Sequence, residues 1–277
     1  MKAHLYRIHI LVALVIAALI TPMSESNAYR YADIDLEFAT VDNDSWNLTD
    51  SGVLFKEKQI DHNNVSKPYL SSWTPHEPGR SLKFQINPLS PDTGLKQRVE
   101  YYAYRSAPFE QTIHIGFSFS VHSDPSEIKN WVLISQIQQM GYFVSPFVGL
   151  ELRNNDGQME LVLIARNTSY YWIDNSNGPN GGRIELGSFP IEKDDWYDVV
   201  LKVHPGPDGD GVIALYLDGE LVIDWTGALG FPEGFLGRPF IETFQNAFGI
   251  YRKAQEGELI VYIDNYRVSD VIFSAVP

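Results

Sequence analysis

The chain has 277 residues, no cysteine, and a formal net charge of −14. It therefore has no thiol nucleophile, thiolate zinc site or disulfide framework, and so acidic a surface repels nucleic acid and anionic membranes in general. An anionic ligand is not excluded, provided its cleft is locally basic.

Residues 1–28 read as a secretory signal peptide. Lys2 and Arg7 make a positive start, Ile10 to Ile20 is an uncharged apolar run, and Ser26-Asn27-Ala28 supplies small residues for cleavage. The run is shorter than the roughly 20 residues that span a bilayer. The expectation is a soluble mature domain over 29–277, periplasmic or secreted, monomeric, and without membrane or nucleic-acid partners. Period-two alternation dominates the rest of the chain. It predicts strands over 36–40, 52–56, 81–86, 98–104, 112–121, 131–138, 146–152, 159–166, 196–204, 211–217, 220–224, 247–252 and 259–268. Asn155-Asp156-Gly157 and Asp218-Gly219 read as hairpin turns. Irregular stretches are expected over 61–80, 169–183 and 226–238. So many short strands with scarcely any helix imply an all-β sandwich of two packed antiparallel sheets.

Alternation also sorts polar side chains onto common faces. Arg98, Glu100 and Tyr102 share one face of their strand, with Val99 on the other. Gln136 and Gln138 share a face opposite Ile137. Gln245, Gly249, Tyr251 and Lys253 share a face, while Phe248 and Ile250 point away. Gly249 suits a bulge or a close approach by a ligand. Trp131 and Trp196 begin strands and read as core residues.

Three of these strands resemble the jelly-roll polysaccharide lyases, in the family's order. Gln97-Arg98-Val99-Glu100 is similar to their Arg-x-Glu strand, Ser135-Gln136-Ile137-Gln138 to their Gln-Ile-His strand, and residues 247–252 to the closing strand that ends in Gly-x-Tyr. Residues 196–218 and Ile263-Asp264-Asn265-Tyr266 are similar to the heparin-lyase-like and glucuronan-lyase-like groups. The resemblance implies a concanavalin-like β-jelly roll whose concave sheet holds an acidic polysaccharide, a polyuronate or a glycosaminoglycan-like chain. It also implies cleavage by β-elimination, with no cofactor required.

That chemistry needs a neutralised carboxylate, a base for the C5 proton and an acid for the leaving oxygen. Arg98 suits the first task, because a guanidinium grips a carboxylate with two bonds; Gln136 would share it through its amide N–H. Glu100 would orient Arg98. Tyr251 matches the family's catalytic tyrosine, and Lys253, on the same face, is the cation expected to help it act as a base. Gln138 stands where alginate-lyase-type members carry histidine, and an amide is no general base. His76 is the first substitute, since glucuronan-lyase-like members draw a histidine from upstream; His114 is the second. Ala247 also replaces a lysine of the family pattern.

Tyr171 and Trp172 are expected to offer stacking surfaces for sugar rings. A structural calcium ion stays open, with Glu37 and Asp264 as its oxygens. Two other functions are weighed against the lyase. One is a lectin-like binder without chemistry, favoured by Gln138. The other is a glycoside hydrolase, disfavoured because no strand carries closely spaced paired carboxylates.

Overall fold

The computed structural model describes residues 40–41, 47–50, 53–60, 65–71, 81–109, 111–139, 145–174, 178–235 and 243–269. The expected leader over 1–28, Glu37 and His76 lie outside them. The described strands, in chain order, are β1 (Thr40–Val41), β2 (Asn47–Asp50), β3 (Val53–Ile60), β4 (Val65–Ser71), β5 (Ser81–Ile86), β6 (Lys96–Pro108), β7 (Ile113–Val121) and β8 (Val132–Gln139). They continue with β9 (Val148–Asn155), β10 (Gln158–Asp174), β11 (Gly178–Ile191), β12 (Trp196–His204), β13 (Gly206–Leu217), β14 (Glu220–Leu229), β15 (Thr243–Lys253) and β16 (Leu259–Ser269). Two 3₁₀ turns, Pro91–Thr93 and Pro125–Glu127, are the only helical pieces among the described residues.

The strands form two antiparallel sheets. One has nine strands in the order β1-β2-β3-β6-β15-β8-β9-β10-β11; the other has seven, β14-β13-β12-β7-β16-β5-β4. This is the sandwich of two antiparallel sheets expected from the alternation, and it agrees with the jelly roll that the resemblance implies. The core lies between the sheets, where every second side chain is apolar and fully covered. Val99 and Tyr101 of β6, Phe248 and Ile250 of β15 and Leu150 and Leu152 of β9 meet Phe84 of β5, Phe117 and Phe119 of β7 and Ile263 of β16. Burying each such side chain contributes about 1.5–3 kcal/mol. At the centre the Phe248 and Tyr266 rings stack 3.8 Å apart. The buried Tyr266 hydroxyl accepts a 2.7 Å bond from Asn246 Nδ2. Burial pushes its pKa up.

Two expectations about the chain's course are corrected. Residues 169–174 and 178–183 are strand and not loop: they belong to β10 and β11, which pair with Trp172 opposite Asn180 and Asp174 opposite Gly178. β4 likewise falls within the stretch expected to be irregular. Asp218-Gly219 does turn β13 into β14, with φ of 51° and 79° and Leu217 paired to Glu220.

Candidate active site

Three adjacent strands of the nine-stranded sheet bring the predicted motifs together. β15 lies between β6 and β8, with Tyr251 opposite Arg98 and Gly249 opposite Glu100. On its other side Ala247 pairs with Gln136 and Gln245 with Gln138. Because Phe248 and Ile250 fill the core, Tyr251 is sent to the outer face of the sheet. Gly249 has φ of +129°, and the pairing with β8 shifts register between Phe248 and Tyr251. A Cβ at Gly249 would lie 2.4 Å from Val99 O and 2.9 Å from Glu100 Cα. The glycine thus answers a bulge and a close approach of the β6 backbone. Bulges of this kind re-aim the next side chain, here Tyr251.

Glu100 is the hub of the polar network. It is 1% exposed, and its Oε2 lies 2.9 Å from Arg98 Nε. This is an ion pair set off the line of a good hydrogen bond. Its Oε1 accepts a short bond from Gln136 Nε2. One carboxylate therefore sets both groups that are suited to meet a substrate carboxylate. The Arg98 guanidinium carbon lies over the Tyr251 ring, 3.8 Å from its centre, and Lys96 Nζ lies 5.8 Å from it. Such contacts contribute about 0.5–2 kcal/mol and hold the ring in place. Trp131 meets the same ring edge-on at 5.1 Å. No described residue accepts a hydrogen bond from the two terminal nitrogens of Arg98, which leaves them for a ligand.

Lys96, Arg98, Trp131, Gln136 and Tyr251 line one end of a cleft of about 1040 Å³. Its described lining includes seven lysines and arginines against two glutamates, a locally basic site on an acidic protein. Leu133 and Tyr251, which line the cleft, form a small apolar cluster with the fully buried Val162 and Ile164, against which Trp131 packs. The cleft is also lined by a charged cluster that the alternation had not singled out. Glu151 of β9 takes Arg153 at 2.9 Å and Arg183 at 2.8 Å, and Glu185 of β11 takes the same two at 2.8 and 2.6 Å. Burial pushes the Glu151 carboxyl up, against the pull of Arg183 and Arg166. The Glu-x-Arg spacing at 151–153 was a signal available in the sequence, but Arg166 and Arg183 join it only through the strand register.

The other expected residues divide between the cleft and the rest of the fold. Gln138 and Lys253 line the cleft; Gln138 Oε1 accepts from Gln245 Nε2 at 3.1 Å. The cations against the Tyr251 ring are Arg98 and Lys96, in place of the expected Lys253. Gln136 commits one amide hydrogen to Glu100, so only the other is left for a substrate. His114 is not part of the cleft. It lies on β7 of the seven-stranded sheet, paired with Lys202 and Ser269, with its neighbours Ile113 and Ile115 in the core. Its side chain therefore projects from the far side of the sandwich. Trp131 is a cleft residue and not a core one, and Trp196 is half-buried outside the core cluster. Tyr171 and Trp172 fall within β10; their side chains are outside the described residues. Asp264 is buried on β16, where its Oδ1 accepts from the backbone N–H of Asn265 at 2.9 Å. Among the described residues no three His, Asp or Glu side chains gather in a way that could hold a metal.

Residues 54–267 match the sequence model of the polysaccharide lyases. The chain belongs to that family. No curated protein matches the lyase in sequence. Among solved structures, an endo-β-1,4-glucuronan lyase from the fungus Trichoderma reesei superposes with a TM-score of 0.59 at 19% identity, covering 79% of this chain and 92% of that one. An alginate lyase in complex with an alginate trisaccharide superposes with a TM-score of 0.51 at 11% identity, covering 78% and 88%. At these identities the likeness is one of fold: the lyase is a β-jelly roll.

Proposed function

We propose that this lyase cleaves a polysaccharide containing uronic acid by β-elimination, with Tyr251 as the proton-transfer group. The observation that carries the reading is the Arg98–Glu100–Gln136 network against Tyr251 at the end of a basic cleft. The solved lyases named above act on glucuronan or hold an alginate trisaccharide, which supports the same substrate class. In the reaction a uronate carboxylate meets the terminal nitrogens of Arg98 and the free amide hydrogen of Gln136. Neutralised in this way, it accepts the charge that builds when the C5 proton leaves. The C5–H electrons form the C4=C5 double bond, the C4–O4 bond breaks, and O4 leaves with a proton. The product carries an unsaturated uronate at its new end.

Tyr251 performs both transfers in this reading: its phenolate takes the C5 proton and the resulting phenol passes one to O4. The guanidinium 3.8 Å from the ring offsets negative charge on the phenolic oxygen while that proton is away. No histidine is among the described residues that line the cleft. One group serving both atoms must reach them from one side of the sugar. Polymers whose H5 and O4 lie on the same side, such as glucuronan and mannuronate blocks, should therefore be cleaved in preference to guluronate blocks.

The test is incubation with glucuronan, alginate blocks, heparin and hyaluronan, following the ultraviolet absorbance of unsaturated uronates. Absorbance growth on one polymer supports the reading. Salt-sensitive binding without any absorbance change would instead mark a lectin-like binder. Preference for guluronate blocks, or loss of turnover in His76→Ala, would move the base role from Tyr251 to His76.

A further inference from the structure

The charged cluster on β9, β10 and β11 stands apart from the chemistry at Tyr251 and yet lines the same cleft. In the sheet order, β10 is three strands from β15 and β11 is four. At about 4.8 Å per strand, Arg166 and Arg183 lie about 14–19 Å from Tyr251 across the strands, a span several sugars long. Within the cluster the charges do not balance. Arg153 and Arg183 are each held by both Glu151 and Glu185. Arg166 is left over. Its one side-chain bond among the described residues runs from Nη1 to Pro146 O, 2.7 Å, and no described carboxylate lies within ion-pair distance. Burial holds its pKa below the usual guanidinium range, although the Glu151 charge opposes this. Three guanidiniums thus face two carboxylates, with spare donors on Arg166.

A purely structural network has no need of such a surplus, because a half-buried cation without an anion gives up hydration that no ion pair restores. A ligand carboxylate would complete it. Arg166 is also fixed for the purpose, since Pro146 O ties one nitrogen and its own backbone N–H bonds Phe147 O at 2.8 Å. We propose that Arg166, framed by Arg153 and Arg183, is a second carboxylate-binding subsite, which takes a uronate several sugars away from the bond that is cleaved. The polysaccharide then lies across the strands, with its scissile uronate on Arg98 and a distant one on Arg166. Leu133 of β8, which lines the cleft, lies between them in the sheet order. This inference rests on the substrate being a polyuronate.

The experiment compares uniform oligouronates of two to eight sugars on the full chain and on Arg166→Gln, with Arg183→Gln as a second variant should the first fail to fold. Thermal melting reports folding. In the wild type, kcat/KM should climb with length until both subsites are spanned. In either variant the ratio of kcat/KM for the longest over the shortest oligomer should fall about tenfold or more, as expected for one charge-assisted contact. An unchanged ratio in a folded variant overturns the subsite. Failure of the lyase reading looks different, because the wild type then yields no unsaturated product from any oligomer. In that case calorimetric Kd values take the place of kcat/KM. A tenfold loss of the length dependence in Arg166→Gln still supports the subsite, and its persistence, or the absence of binding by the wild type, overturns it.

Discussion

Gly249→Ala tests the geometry that aims Tyr251. The added methyl would sit 2.4 Å from Val99 O, 2.9 Å from Glu100 Cα and 2.9 Å from Phe84 Cε1. Two of these are backbone atoms of the paired strand and cannot swing aside, so β15 must move away from β6. The residue would also keep a φ of +129°, a region that costs an L-residue about 1–3 kcal/mol. Overpacking adds about 1–3 kcal/mol more. A total near 4 kcal/mol corresponds to a fall in melting temperature of about 8–16 °C for a domain of this size. Turnover below the melting temperature should fall too, because the same shift slides Tyr251 past Arg98 and Glu100. Gly234→Ala is the control. Its φ is +74° but nothing lies within 4 Å of the added carbon, so only the conformational cost applies, about 1–2 kcal/mol. Scanning calorimetry with chemical denaturation measures both variants. If Gly249→Ala melts within about 2 °C of the wild type, or no lower than Gly234→Ala, the account of the bulge is wrong.

Tyr251→Phe keeps the ring between Arg98 and Trp131 and removes only the hydroxyl; turnover should drop at least about a hundredfold with little change in oligosaccharide Kd, and retention of most activity would end the assignment. Glu100→Gln removes the charge that aligns Arg98 and Gln136, so kcat/KM should fall about tenfold to a hundredfold, the worth of one or two charged hydrogen bonds; a change under about twofold in steady-state kinetics would refute the positioning role. Glu151 tests the electrostatics of the distal cluster. Its carboxyl is pushed up by burial in the folded protein, so the folded state binds its proton more tightly than the unfolded chain. Its contribution to stability is therefore fully present below the ordinary glutamate range and is lost as pH rises through the raised value. Glu151→Gln should remove that part of the decline between about pH 4 and neutrality. Denaturant unfolding at several pH values checks this, and an identical slope in both proteins would contradict it.

The alternation of side chains decided a good deal by itself. In a strand, the core claims every second residue, so Val99, Ile137, Phe248 and Ile250 had to go inward and Arg98, Glu100, Gln136, Gln138, Tyr251 and Lys253 outward. The hairpin at Asp218-Gly219 was legible for a similar local reason, since both residues must adopt positive φ. Alternation assigns a face but not a sheet or a neighbour, and there the tertiary structure took over. His114 alternates as the site residues do and lies on the other sheet. Lys253 shares a face with Tyr251, yet the cations on the ring come from β6, because residues about 150 positions apart pair across β6 and β15. The distal arginines needed the register of three strands before their charges could be counted together. Pairing between distant strands is set by how the whole core closes, and no window of sequence contains that information.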